Sequence, residues 1–516
     1  MSVRSDRPPP MRRSLLDRAA HREALWAWSV AVLTAVGAVI RFTSLGRQSF
    51  WLDETVTASL LERSFSGMLH ALPASESTPP LYYVIAWGWS RVAGADEVGL
   101  RSLSAIAGTL TIPVAYAAAT ALATRRAGIA TAALATVSPL LVWYSQEARS
   151  YALLVLFSAL SFALFARSLE RAKTATLAGW GAASALALLT HYFAAFLVIA
   201  EAALLLLAVR PRRPILLASG AVAVVGAVLL PLMARQSGGS AVWIRDVSLP
   251  LRVGETIRQL ALPSPPPIWA GAGVSEDYLR SIWPLAVLVA ALAIGVGLAL
   301  GSRRERRGVC AALVVGGAIV ACPLALAVAA SLVGDGRGDF FLYRNVIVAW
   351  LPLTVAVAAG LTVRRAGWAG VVAAAFLVAC SAAVLGLMWG DERFQRDDWR
   401  TIASEVRGPH RAIVLSPSWQ EDGLLYHLPE LGAVPAAGTE IDEIDVLVRR
   451  TAPAYTTLLE RYLPPPPFMQ VSRERIQHWT LMRFRSPSRV RMSFAVLAPG
   501  TRNTSQVIFA IRAQSR

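Results

Sequence analysis

Apolar residues recur along the first three quarters of the chain in long runs broken by short polar stretches, and the runs stop near Trp389. A helix needs roughly 20 apolar residues to cross a hydrocarbon core about 30 Å thick. The stretches that meet this demand are 24–42, 101–123, 127–143, 151–169, 174–190, 192–209, 214–233, 281–301, 308–333, 342–362 and 367–389. Residues 174–209 are almost continuously apolar, yet as one helix they would reach ~54 Å. They must therefore turn, and Thr190-His191-Tyr192 supplies the polar break. Past Trp389 the pattern changes. Asp397 to Val406 reads as a helix with an acidic start, and Ala412–Leu415 and Val446–Val448 read as buried strands. The alternation from Trp479 to Phe484 reads as a strand with an exposed face.

One further apolar run, Pro80 to Val92, is too short to cross: as a helix it covers only ~20 Å. Its Tyr82, Tyr83, Trp87 and Trp89 are the side chains of an interfacial segment. Loop charge decides its placement, because basic loops stay on the cytoplasmic side. The basic stretches are the N-terminus, Arg125-Arg126, Arg167 to Lys173, Arg210 to Arg213, Arg303 to Arg307 and Arg364-Arg365. All of them fall on one side only if 80–92 lies along the membrane surface. The expectation is an α-helical polytopic membrane protein with about 11 transmembrane helices and a C-terminal α/β soluble domain. Residues 1–23 would be a cytoplasmic segment, 24–389 the transmembrane module with a first outside loop at 43–100, and 390–516 an extracytoplasmic domain. The tail beyond Gly500 is expected to be mobile.

Composition agrees with this reading. Hydrophobic residues make up 55% of the chain and charged residues 16%, with a mean hydropathy of +0.50; a soluble chain carries about 25% charged residues. The net charge of +17 would point to nucleic acid in a soluble protein, but much of it sits in the short loops that orient helices, and no nucleic-acid module is present. Cys310, Cys322 and Cys380 lie in apolar runs without metal-ligand spacing and read as packing residues. No small-x-small cleavage pattern follows the first apolar run, which reads as an uncleaved span.

The inside loops are short and basic, whereas the outside loops hold acids, aromatics, prolines and isolated arginines. In the first outside loop, Asp53 and Glu54 follow Phe50-Trp51-Leu52 directly after a span. A carboxylate there can act as a general base, or the pair can simply charge the first turn of a helix. Pro79-Pro80 sets a rigid helix start. Glu147, Arg149 and Tyr151 cluster at the mouth of two spans. A guanidinium in that place suits a phosphate, or pairs with Glu147 at the surface. His191 marks a tight turn, as a cap or as a ligand. Arg344, beside Phe340, Phe341 and Tyr343, either snorkels or binds an anionic headgroup. Glu201, inside a span, reads as a buried hydrogen-bonded acid, Arg245 and Asp246 as structural, and Arg483, Arg485, Arg489 and Arg491 as a solvated face or a contact to anionic lipid or wall polymer. No Walker motif, phosphate-binding glycine loop, HExxH or serine elbow is present, so a nucleotide-fuelled activity is disfavoured.

Five stretches carry a resemblance. They are Trp51-Leu52-Asp53-Glu54, Thr78-Pro79-Pro80-Leu81-Tyr82-Tyr83, Leu100-Arg101-Ser102-Leu103-Ser104, Tyr144 to Tyr151 and Leu189-Thr190-His191-Tyr192. In this order the chain resembles the GT-C glycosyltransferases, specifically those of the protein O-mannosyltransferase and lipid A aminoarabinose transferase type, across about residues 25–210. Asp398-Trp399-Arg400 resembles a recurrent element of the same group. It departs from the group in having Thr78 where a His precedes the proline pair, and Asn345 where many relatives have Tyr.

The resemblance implies a sugar delivered on a polyprenyl phosphate to a glycan, lipid or protein acceptor, with inversion. Asp53 would be the base. Glu54 and Glu147 would position hydroxyls, Arg149 and Arg344 would hold the leaving phosphate, and His191, Tyr82 and Tyr151 would line the substrate. The group generally needs no metal and no carboxylate cage demands one here, although a divalent ion stays compatible. The reading that competes is a flippase of a lipid-linked glycan, which would be expected to carry charges within its spans and repeated halves.

Overall fold

A computed structural model describes residues 10–236, 244, 247–261, 283–333, 339–391, 394–417, 420–449, 464–493, 497 and 507–511. Arg245 and Asp246 lie outside them. The chain opens with α1 (Pro10–Phe42), followed by three short helices, α2 (Leu52–Leu61), α3 (Phe65–Ser75) and α4 (Leu81–Ala93). The apolar bundle continues with α5 (Glu97–Leu122), α6 (Arg125–Val137), α7 (Pro139–Ser145), α8 (Tyr151–Glu170), α9 (Thr174–Thr190), α10 (Ala194–Ala208) and α11 (Arg213–Gln236). After α12 (Leu249–Ala261) come α13 (Trp283–Leu300), α14 (Arg303–Val333), α15 (Trp350–Leu361) and α16 (Gly367–Gly390).

Among the described residues, seven helices are long and apolar enough to cross a membrane, or eight if the bent pair α6–α7 is one span. Three shorter apolar helices, Thr174–Thr190, Ala194–Ala208 and Ile347–Leu361, occupy the remaining expected stretches. Pro139 produces the 55° bend between α6 and α7: it cannot donate into the preceding turn, and Ser138 caps the new helix by accepting the Leu141 N–H. The run expected to lie along the surface is α4.

The apolar helices divide by burial. α8 is the centre, with 72% of its apolar window buried, and α1 is the periphery, with 6%. Trp28, Val224, Val228 and Leu332 point outward, as lipid-facing side chains do. Small residues let helices touch: Gly360 of α15 lies directly against the Ala293 carbonyl of α13, where a Cβ has no room. Arg41 ends α1 inside the protein. It donates to the Gly37, Thr136 and Ala135 carbonyls and to Ser145 Oγ, tying α1 to α6 and α7. Glu201 of α10 accepts from Ser161 Oγ at 2.5 Å and Trp180 Nε1 at 2.7 Å, the buried hydrogen-bonded role expected for it.

The C-terminal part comprises α17 (Trp399–Val406), β1 (Arg411–Ser416), α18 (Glu421–His427), β2 (Leu431–Ala433), β3 (Thr439–Arg449), β4 (Met469–Ile476), β5 (Trp479–Met492) and β6 (Val507–Ile511). The strands form one sheet in the order β2-β6-β1-β3-β5-β4; β1 and β3 run parallel and the other pairs antiparallel. Trp399, Ile402, Leu424, Leu447 and Leu481 pack on one face, and Val414, Val446, Met482 and Phe484 on the other.

Three expectations change here. The stretch from Trp479 to Phe484 is covered on both faces, because its alternate side chains belong to two different cores. Arg483 is not a solvated residue: it pairs with Asp445 and Glu443 and is 15% exposed, while Arg485 and Arg489 are exposed. The chain past Gly500 contributes β6, which pairs with β1 and β2; the other residues there lie outside those described.

Candidate active site

The C-terminal domain sits on the same end of the bundle as α2, α3 and α4. Ser49 Oγ donates to the Asp397 carbonyl at 3.0 Å and accepts from the Trp399 N–H at 2.8 Å. Phe50 meets Tyr426 edge-on at 5.7 Å. Asp53, the end of α7 with the loop 146–150, His191, Arg344 and the segment 394–399 all converge at this end.

Asp53 lies in the first turn of α2. Its Oδ2 accepts from Arg344 Nη1 at 3.1 Å, and the two side chains are 22% and 13% exposed. Arg344 approaches from the turn before α15. Arg252 of α12 fixes that turn: it grips Asp339 through both terminal nitrogens at 2.7 and 2.6 Å and donates to the Phe341 carbonyl at 2.8 Å. Asn345 Nδ2 donates to the Phe340 carbonyl at 2.8 Å, so the residue found in place of Tyr also braces the turn. The Arg344 guanidinium lies 5.9 Å from the centre of the Tyr151 ring. That ring is flanked by Tyr144 at 4.7 Å and His191 at 5.9 Å.

His191 caps α9, and its Nδ1 accepts the Phe193 N–H at 3.2 Å. Burial, together with the charges of Arg344 and Arg149, pulls its pKa down to about 3. The imidazole is therefore neutral. With Nδ1 accepting, Nε2 carries the proton and is the donor.

Glu54 does not face the site. It is fully buried and accepts from Arg101 Nε at 2.8 Å, Arg101 Nη2 at 2.5 Å and the Ala148 N–H at 2.8 Å. Arg101 also donates to the carbonyls of Leu45, Gln48 and Ser49. Burial alone would raise the Glu54 pKa, but the charge and hydrogen bonds of Arg101, helped by Arg396 and the Ala148 amide, outweigh it and lower the pKa. In the structure Glu54 staples the first loop to α5 and to the 146–149 loop.

Arg149 grips Glu76, not Glu147, at 2.5 and 2.9 Å. It further donates to Thr57 Oγ1 at 3.1 Å and to the Asp53 carbonyl at 3.2 Å. It is a strut that holds the start of α2. Glu147 pairs with Arg396 at 3.1 Å, not with Arg149. Burial raises its pKa to about 7; Arg396 opposes the rise, while Glu54 and Asp53 add to it. Tyr82 is 1% exposed and packs edge-on against Tyr83 at 5.2 Å, within the core shared by α2, α4 and α5.

Sequence reasoning missed Glu76, Arg101, Arg252 and Arg396 as site-building residues. Arg101 carried a signal, as a lone cation opening an apolar run. Glu76, between two serines in a loop, carried none.

Residues 77–235 match the model of the dolichyl-phosphate-mannose-protein mannosyltransferase family, less than a third of the chain. No curated protein matches the sequence. Among solved structures, ArnT from Cupriavidus metallidurans bound to undecaprenyl phosphate is similar at 14% identity, covering 89% of this chain and 98% of that one with a TM-score of 0.51. AglB from Archaeoglobus fulgidus, in complex with an inhibitory peptide and a dolichol-phosphate, matches at 12% identity over 79% of this chain and 60% of that one, with a TM-score of 0.45. AftD, an arabinofuranosyltransferase from Mycobacteria, matches at 17% identity over 88% of this chain and 41% of that one, with a TM-score of 0.41. The chain is a membrane protein with the fold of the GT-C glycosyltransferases. Its fourth to eleventh helices make up the segment that matches the mannosyltransferase family model.

Proposed function

We propose that this protein is a glycosyltransferase that moves a sugar from a polyprenyl-phosphate donor to an extracytoplasmic glycan, lipid or protein, with inversion at the anomeric carbon. The observation that carries the reading is the Asp53–Arg344 pair, in which a carboxylate and a guanidinium from distant parts of the chain meet at 3.1 Å on the face that also bears the C-terminal domain. In this reading the N-terminus is cytoplasmic and the face outward.

The chemistry follows from the pair. A donor phosphate competes with Asp53 for the Arg344 guanidinium, because both are anions suited to its fork. As Arg344 turns to the phosphate, the Asp53 carboxylate is released toward the acceptor hydroxyl. Asp53 takes that proton while the oxygen attacks the anomeric carbon. The bond from that carbon to the phosphate oxygen breaks, and its electron pair stays on the polyprenyl phosphate, where Arg344 stabilises the new charge. His191 donates through Nε2 to the phosphate or to a sugar hydroxyl, and Tyr151 supports Arg344 through its ring face. The positive charge that the leaving group needs comes from the chain itself, so the reading includes no metal step.

The test is purified full-length protein with polyprenyl phosphate carrying a labelled sugar and a set of envelope acceptors. Label entering an acceptor, with one equivalent of free polyprenyl phosphate released per transfer, is the expected result. An intact donor with every acceptor, combined with donor movement across sealed vesicles, would overturn the reading in favour of a flippase.

A further inference from the structure

The segment between the bundle and the C-terminal sheet is bonded on both sides more densely than a linker needs. On the bundle side, the Arg396 N–H donates to Gln48 Oε1 at 3.1 Å, and Gln48 Nε2 donates to Gln395 Oε1 at 2.6 Å. The Arg396 side chain, 5% exposed, donates to the Gln146 carbonyl at 2.8 Å, the Trp143 carbonyl at 3.3 Å and Glu147 Oε2 at 3.1 Å, and lies 4.3 Å over the Trp143 ring. On the sheet side, the Asp397 carboxylate accepts from Arg449 Nη2 at 2.9 Å and Trp479 Nε1 at 3.0 Å. Two neighbouring side chains thus pull in opposite directions, one into the end of α7 and the loop that follows it and one into the sheet.

That loop leads directly to Ala148, whose N–H holds Glu54, and to Arg149, which holds the Asp53 carbonyl. From Arg396 to Asp53 there is an unbroken path of charge-assisted hydrogen bonds and three residues of loop backbone. We propose that Arg396 is a positioning residue, through which the docked C-terminal domain fixes the 143–149 segment and, by way of Arg149, the start of the helix that carries Asp53. The proposal rests on the reading of Asp53 as a reacting group, but its structural half does not.

The groups facing Glu147 are Arg396 from the linker, Asp53 and Glu54 from α2 and Arg149 from its own loop. Removing Arg396 takes away the larger of the two cationic influences there, and the carboxyl becomes harder to ionise. If Arg396 only held the fold, turnover per folded molecule and its pH profile would stay at their wild-type values.

The experiment uses the full-length protein in lipid nanodiscs. Backbone amide exchange over 143–149 and 52–57 and the rate of sugar transfer against pH are measured for wild type, Arg396→Ala, Arg396→Lys and Arg489→Ala, the last an exposed control on the sheet. In both Arg396 variants, exchange in the two segments is expected to quicken about tenfold, because a lysine cannot serve two carbonyls and a carboxylate at once. The acidic limb of the rate profile is expected to move upward in Arg396→Ala, with turnover falling and KM for the donor little changed. Should Arg396→Ala fail to fold, Arg396→Lys keeps the charge and carries the exchange test. Exchange equal to wild type in a folded Arg396 variant would overturn the proposal whatever the activity. Quickened exchange together with a wild type that transfers no sugar would support the path and sink the proposed function instead.

Discussion

Replacing Glu54 by Gln separates a structural acid from a catalytic one. The wild-type carboxylate takes two hydrogen bonds and a charge from Arg101 and a third bond from the Ala148 amide, all in a site with no solvent exposure. The amide of Gln cannot accept on both arms, so one arm presents N–H groups to a guanidinium. Arg101 keeps the carbonyls of Leu45, Gln48 and Ser49 and at most one bond to the remaining amide oxygen, and loses its partner charge. Breaking a buried pair in this way costs about 3–5 kcal/mol. The lowered folded pKa of Glu54 means that its contribution is present above the unfolded value of 4.5 and is lost as the pH falls through the folded value. Thermal unfolding in detergent from pH 7 down to pH 3 should therefore show a lower Tm for Glu54→Gln at pH 7 and a gap that closes toward acid. Transfer per folded molecule should fall far less than the yield of folded protein. A variant that unfolds with wild-type Tm at pH 7 yet transfers no sugar would refute the structural assignment and return Glu54 to the chemistry.

Other outcomes follow from the same geometry. Arg344→Gln should lower turnover about 10²-fold or more, since it removes the charge offered to the leaving phosphate, with folded yield unchanged; single-turnover transfer checks it. Glu147 has a folded pKa of about 7, above its ordinary 4.5. Its neutral form is favoured by folding, so stability should fall as the pH rises from about 4.5 through about 7, and Glu147→Gln should flatten that slope in unfolding scans. Gly360→Leu should cost about 1–3 kcal/mol or displace α13, because the Ala293 carbonyl occupies the space of the new side chain; thermal unfolding reads it.

The helical architecture was legible because a membrane allows few solutions. Long apolar runs had to be helices, and the expected runs each carry one in the structure, including the short α4. The β-strands at Ala412 and Val446 were readable from short buried runs. Val507–Ile511 was not, since its position so near the end favoured a loose tail until its pairing with β1 was visible. Asp53, His191, Tyr151 and Arg344 were singled out by residue type at the ends of apolar runs, and the structure places them near one another. What could not be read was which charge meets which. Glu147 and Arg149 are two residues apart yet turn to Arg396 and Glu76, from segments far off in the chain. Adjacent Asp53 and Glu54 likewise divide, one toward the open face and one toward Arg101. Such pairings depend on side-chain direction at a helix start and on long-range packing, neither of which has a period in sequence.

The central claim is that Asp53 takes the proton from an acceptor hydroxyl. The direct measurement is single-turnover transfer from a labelled polyprenyl-phosphate sugar by wild type and Asp53→Asn, with donor binding measured on the same preparations. The account expects the Asn variant to bind donor at least as well as wild type, since Arg344 no longer has a carboxylate to hold, and to transfer about 10²–10⁴-fold more slowly. Transfer by Asp53→Asn at the wild-type rate would contradict it.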